Sequence, residues 1–271
     1  MKKILVAVDF SDCSINALEH AITIANKADA GLDMIFVIKP DSSRDIFSEG
    51  PQTLSSMVKD KFDELIEKYQ HKLGHHKMHF LIREGKVYQE IVKEADHKDV
   101  FLVMAGTHGA SGFEEFWIGS NANRIVSSLR KPVITIRGGV NINRHLEKIV
   151  LPLDSTPETR QKVPFTDYIA KTFNAEIHVL RIYTSSVQAV IRKIDSYAEQ
   201  VVKHLEEENV RYVLESVQAD NLTDSTIEYA LKVKANLISI MTEQEISAKN
   251  RAWSQSESGG SNRPVRSPEI D

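Results

Sequence analysis

The residues with the clearest chemical use are three glycines and a serine. Gly106-Thr107-His108-Gly109 is followed by nine residues and then by Gly119-Ser120. Glycine lets a backbone take positive φ and approach an anion closely, because no Cβ intervenes. A helical pattern opens at Ser120, and the free N–H groups and positive dipole end of a helix N-terminus suit a phosphate. The Ser120 hydroxyl can cap that helix or bond a phosphate oxygen. Asp9 closes the first apolar run of the chain. It can accept a hydrogen bond from an adenine or a ribose, or serve only a helix-capping turn.

Other chemistries lack their residues. The Gly-Lys pair Gly85-Lys86 is followed by Val87, so the phosphate loop of P-loop NTPases is absent. No Gly-x-Gly-x-x-Gly follows the first run, which argues against a dinucleotide fold, and no Gly-x-Ser-x-Gly elbow occurs. Phosphoryl transfer needs carboxylates for Mg²⁺ and a group that orients the nucleophile. Asp9 is the one acid placed at the site, so no catalytic residue is assigned. His75, His76 and His79 crowd together, but no neighbouring Cys or acid completes a ligand set. They read as a solvated turn into a strand, and no metal site is expected. His108 is expected to contribute backbone rather than a proton, and Cys13 to be structural. Phe113, Phe116, Trp117 and Ile118 read as packing for the nine-residue loop. Asp60, Asp63, Glu64 and Glu67 read as a solvated helix face.

These groups need elements to hold them. Short apolar runs occur at Ile4–Val8, Leu32–Ile38, Met78–Ile82, Val100–Ala105 and Pro132–Ile136. They are mostly continuous, as strands buried on both faces are. Helical spacing fills Ser14–Ala28 and Ser120–Leu129. The alternation predicts an open, mostly parallel five-stranded sheet with flanking helices. Ligands of such sheets bind beyond the carboxyl ends of the strands, where Asp9 and the glycine motif meet. Lys39–Leu54, with Pro40, Gly50 and Pro51, reads as a long surface loop.

The pattern restarts. Lys3–Asp9 is echoed by Lys148–Asp154, Leu32–Ile38 by Ile177–Ile182 and Val100–Ala105 by Asn236–Met241. This is a domain-sized repeat. The expected division is 1–138, a linker at 139–146, a second domain at 147–242 and an irregular tail at 243–271. Pro152 interrupts a strand pattern, and Pro164 is expected to kink or restart a helix. Thr242, Glu245 and Gln255 fall where the first copy has Gly106, Gly109 and Gly119. The second copy is therefore expected to lack the phosphate site, and also its last helix and strand.

Composition agrees with two soluble domains. The chain has 271 residues, 41% hydrophobic and 27% charged, and a net charge of -4. That balance provides no basic field for nucleic acid or an anionic membrane. No apolar run approaches a membrane span, and the single cysteine points to a reducing, cytoplasmic setting.

The motif Gly106-x2-Gly109-x9-Gly119-Ser120, with Val6-Ala7-Val8-Asp9-Phe10-Ser11 before it and Lys131–Ile136 after it, resembles the universal stress protein family. The likeness covers Lys2–Arg137 well and Glu147–Thr242 in outline, as in a tandem member. It implies a nucleotide-responsive stress or regulatory module that binds ATP, with Mg²⁺ as a companion; AMP or another adenylate remains open. Carried over, Asp9 and Val37 would meet the adenine and ribose side, and Ala105 would also line the cofactor site. Gly106, Gly109, Gly119, Ser120 and the backbone of Asn121 would hold phosphates. It also implies that the closing strand pairs across a dimer or between the halves of a tandem chain. Because the second half shows no closing strand, the 132–137 strand is expected to be an open edge that pairs with a second copy in a homodimer, the competing outcome being a monomer whose edge the tail or the linker covers. The alternatives are a dimeric scaffold of the same fold that binds no nucleotide, and a slow ATPase.

Overall fold

Each apolar run of the first half becomes a strand in the computed structural model, which describes residues 1–40, 51–107, 120–137 and 146–241. In chain order the first half comprises β1 (Lys3–Ala7), α1 (Asp12–Ala28), β2 (Gly31–Ile38), α2 (Pro51–Tyr69), β3 (Met78–Glu84), α3 (Val87–Ala95), β4 (Val100–Gly106), α4 (Ser120–Ser128) and β5 (Val133–Ile136). The strands form one parallel sheet in the order β3-β2-β1-β4-β5. The order reverses direction between β1 and β4, where Ala7 lies between Ile35 and Ala105.

Alternation along each strand sends side chains to two helical layers. Ile4, Val6, Leu32, Met34, Leu102 and Met104 pack with Leu18 and Ile22 of α1 and Phe62 of α2. Leu5, Ile35, Val37 and Val103 pack with Ile91 of α3 and Ile125 of α4. Each such side chain, fully buried, stabilises the fold by about 1.5–3 kcal/mol. The acids Asp60, Asp63, Glu64 and Glu67 are exposed on α2, as their pattern predicts. The predicted loop Lys39–Leu54 is corrected at its carboxyl end. Its last four residues, 51–54, belong to α2. Residues 41–50 lie outside the described residues.

The second half repeats the plan with β6 (Lys148–Leu153), α5 (Val163–Phe173), β7 (Glu176–Tyr183), α6 (Gln188–Glu207), β8 (Tyr212–Gln218), α7 (Leu222–Val233) and β9 (Leu237–Ile238). Its sheet order is β8-β7-β6-β9, the first sheet without its last strand. Among the described residues nothing corresponds to α4 and β5. Pro164 restarts the helix: a short 3-10 turn spans Pro157–Arg160, and α5 opens afterwards with the proline in its first turn. The halves meet through α1 and α5. Phe165 and Phe173 reach the first core, and Tyr168 meets Phe101 edge-on at 6.0 Å. Residues 138–145 and 242–271, including Thr242, Glu245 and Gln255, lie outside the described residues.

Pro152 is accommodated where β9 stops short. β9 pairs only at Ile149 and Val150, so the missing proline N–H falls beyond the end of the ladder. The Pro152 carbonyl accepts a hydrogen bond from Lys162 Nζ at 2.6 Å. Lys162 is buried, and that burial, partly offset by Asp154, pulls its pKa down to about 8.

Candidate functional site

The carboxyl ends of β1, β2 and β4 diverge at the switch point and leave a cleft of about 560 Å³. Its floor is Ala7, Ile35, Val37 and Ala105, all small or apolar. Val87 and Ile91 of α3 and Ile125 of α4 form a wall, and Asp9, Gly106, Thr107, Ser120 and Asn121 lie at the rim. The fold thus gathers six of the eight residues singled out from the sequence: Asp9, Val37, Ala105, Gly106, Ser120 and Asn121. Gly109 and Gly119 lie outside the described residues, as do His108, Phe113, Phe116, Trp117 and Ile118. Sequence reasoning missed the α3 wall. Its signal was the four-residue spacing of Val87 and Ile91, which puts both on one helical face.

Asp9 sits in a built turn. Its Oδ1 accepts from the Ser11 backbone N–H at 3.1 Å and from the Ser11 hydroxyl. Its own N–H donates to Ser14 Oγ at 3.2 Å, and that hydroxyl donates to the Ser11 carbonyl at 3.0 Å. Ser11 also caps α1, accepting from Ser14 N–H. The second half builds the same turn: Asp154 Oδ1 accepts from Thr156 N–H and hydroxyl, and Asp154 N–H donates to Thr159 Oγ1. The capping role is therefore real, and it occupies one carboxylate oxygen while the side chain stays exposed. The halves differ at the next residue. Phe10 has φ 63°, a left-handed conformation costly for a bulky side chain, and no such value occurs at Ser155. Its ring is held by Phe36 at 5.4 Å and Phe62 at 5.1 Å.

Gly106 is needed for a reason the sequence did not reveal. Its φ is not in the left-handed region, so a positive-φ turn does not explain it. A Cβ there would lie 2.9 Å from both the backbone carbon and the Cβ of Cys13, in the first turn of α1. Close helix–strand packing excludes a side chain.

Polar backbone also faces the cleft. Val8 N–H donates to the Ile35 carbonyl at 2.9 Å, the last β1–β2 bond. Backbone groups of alternate strand residues point the same way, so Val37 turns its N–H and C=O to the same side, beyond the end of β1. At the opposite rim, α4 opens with Ser120 and Asn121, both exposed, and its first N–H groups have no intrahelical partner. The cleft therefore combines an apolar slot, a backbone donor and acceptor, one carboxylate and a helix N-terminus. Such a set can orient and hold a flat ligand with an anionic tail. Asp9 is the sole acid among the described lining residues.

A family model described as the universal stress protein family matches residues 1–137. Two universal stress proteins of Methanocaldococcus jannaschii are similar to about half of the chain. One is 32% identical over 140 residues, covering 50% of this chain and 82% of the relative. The other is 28% identical over 153 residues, covering 50% of this chain and 94% of the relative. A solved universal stress protein from Archaeoglobus fulgidus matches at a TM-score of 0.70 and 15% identity, covering 87% of this chain and 85% of that one. A putative universal stress protein from Pseudomonas aeruginosa matches at 0.57 and 16%, covering 88% and 81%. At these identities the solved structures speak for the fold of both halves and not for a ligand.

Proposed function

The chain belongs to the universal stress protein family, and from that premise we propose that its first half binds one adenine nucleotide, ATP in the first instance, as a regulatory ligand. The observation that carries this reading is the convergence of Asp9, Val37, Ala105, Gly106, Ser120 and Asn121 on one cleft at the sheet switch point. Its volume falls within the ~300–1,000 Å³ usual for small-ligand sites. In this reading the Val37 N–H and C=O pair with the edge of the adenine, between apolar walls that include Val87 and Ile91. Asp9 accepts from the ribose through the oxygen its turn leaves free. The phosphates run toward the N-terminus of α4, where Ser120 and the Asn121 N–H meet them, completed by Gly109 and Gly119. Magnesium, where it accompanies the nucleotide, would be held chiefly by phosphate oxygens and water, the usual arrangement for this ion.

The same reading gives one nucleotide per chain, because Thr242, Glu245 and Gln255 stand in place of the three glycines. It includes a cytoplasmic setting, supported by the lone Cys13; no helix among the described residues is long and apolar enough to cross a membrane. It also includes a homodimer through β5. That strand lies at the sheet edge, with β4 as its one partner among the described residues. An apolar edge with open N–H and C=O groups favours pairing with a second copy.

The test is the nucleotide content of freshly purified, denatured protein, with calorimetric titration of ATP into the intact chain. Co-purified or titratable adenine nucleotide, lost in Gly109→Glu, is the expected result. No affinity for ATP, AMP or another adenylate would leave the scaffold reading in its place.

A further inference from the structure

The amino-terminal edge of the first sheet, opposite the cleft, carries a second cluster of chemically competent side chains. His75 and His76 lie in the turn that leads into β3, and Asp29 is the C-cap of α1 just before β2. Forty-five residues lie between Asp29 and His75, so no sequence spacing joins them. In the fold His76 Nε2 lies 2.8 Å from Asp29 Oδ1, and His75 Nε2 lies 3.2 Å from the same oxygen. All the ligand atoms lie within 4.8 Å of one another, and this is the one such His/Asp group among the described residues. The two imidazole rings are 4.1 Å apart. The acid that the histidine cluster lacks in sequence is thus supplied by tertiary structure. His79 is not part of it; its Nδ1 faces Asp33 at 3.4 Å.

We infer that Asp29, His75 and His76 form a binding site for a borderline divalent cation of the zinc class, with water in the fourth position. Two imidazole nitrogens and one carboxylate are a known zinc donor set for an open tetrahedral site. Metal–ligand bonds of about 2.0–2.1 Å place tetrahedral ligand atoms about 3.3 Å from each other. The 3.2 Å His75–Asp29 separation already meets this, and the 2.8 Å His76–Asp29 separation must open by about half an ångström. Mg²⁺ and Ca²⁺ prefer oxygen shells and are excluded by the two nitrogens.

The donors stand on fixed backbone. Asp29 takes φ 52° and ψ 54°, and its N–H closes α1 on the Ala25 carbonyl. The histidine turn is pinned on both sides by Gln70. Its Nε2 donates to the His76 carbonyl at 2.8 Å, and its Oε1 accepts from Met78 N–H at 2.9 Å. His76 is largely covered, while His75 and Asp29 are exposed, so the open position faces solvent. A bound cation would tie the end of α1 to the start of β3.

The test uses the untagged full chain and Co²⁺, which reports tetrahedral coordination by its visible absorption, followed by displacement with Zn²⁺. Asp29→Asn is the most informative variant, because asparagine keeps the left-handed cap while removing the anionic ligand. The expected result is one equivalent of cobalt with an intense tetrahedral spectrum, bleached by one equivalent of zinc. Affinity should fall at least tenfold in Asp29→Asn, and the spectrum should vanish in the His75→Gln/His76→Gln double variant, with circular dichroism unchanged. Zinc should raise the melting temperature of the wild type and leave that of the double variant unmoved. The inference is overturned if the double variant binds cobalt as the wild type does, which would assign the metal to other histidines. It is equally overturned if no tetrahedral spectrum develops at millimolar cobalt. Neither outcome depends on nucleotide binding.

Discussion

Replacing Lys162 by Met tests whether the second half has buried a charge at the place where its sheet is cut short. The ammonium is buried and its pKa falls from the ordinary 10.5 to about 8, burial being the main cause and Asp154 a partial offset. A tenfold change in proton affinity is about 1.36 kcal/mol, so the fold disfavours the charged form by about 3 kcal/mol. The sign follows from linkage. The unfolded chain holds this proton more tightly than the folded one, so stability rises with pH through the window from about 8 to 10.5. Below that window both states are charged and the whole penalty is present. Between pH 7 and 9.5 the wild type should gain about 2 kcal/mol relative to Lys162→Met. At pH 7 the variant should be at least as stable as the wild type, because the relieved penalty outweighs one lost hydrogen bond to the Pro152 carbonyl, about 1–3 kcal/mol. The assay is urea unfolding of both proteins at several pH values, read as the difference between them so that other titrating groups cancel. A difference that stays flat from pH 7 to 9.5 would refute the reasoning, because it would mean that Lys162 is solvated.

Other perturbations separate structural from ligand roles. Gly106→Ala should cost about 1–3 kcal/mol in chemical denaturation even without nucleotide, since its Cβ meets Cys13 backbone at 2.9 Å; an unchanged midpoint would refute the close-packing account. Ser14→Ala should cost about 1 kcal/mol by loosening the turn that holds Asp9, and should weaken ATP binding in calorimetry if that turn orients the carboxylate. Titration should saturate at one ATP per chain, and a stoichiometry of two would show that the second half is competent after all. Ile134→Pro should convert a dimer to monomers in light scattering across a dilution series while the fold persists. A wild type that is monomeric at every concentration would remove the strand-paired dimer.

The local order of the chain was legible from its residues. Continuous apolar runs marked the strands because a parallel sheet is buried on both faces, and helical spacing marked α1 and α4 because only one stripe of each helix meets the sheet. The echo of Lys3–Asp9 in Lys148–Asp154 announced the repeat, and the two halves do build the same turn around Asp9 and Asp154. Six of the eight candidate residues singled out from the sequence also line one cleft. What the sequence by itself could not decide was proximity between distant segments, because periodicity reports which face a residue occupies and not which segment lies opposite. Gly106 looked like a turn glycine; only the approach of Cys13 shows that packing forbids its Cβ. Pro152 looked like a fault in a strand; only the early end of β9 and the reach of Lys162 make it tolerable. His75 and His76 looked like a solvated turn; Asp29 reaches them because α1 ends in a left-handed cap beside the start of β3, a contact made by the packing of elements far apart along the chain.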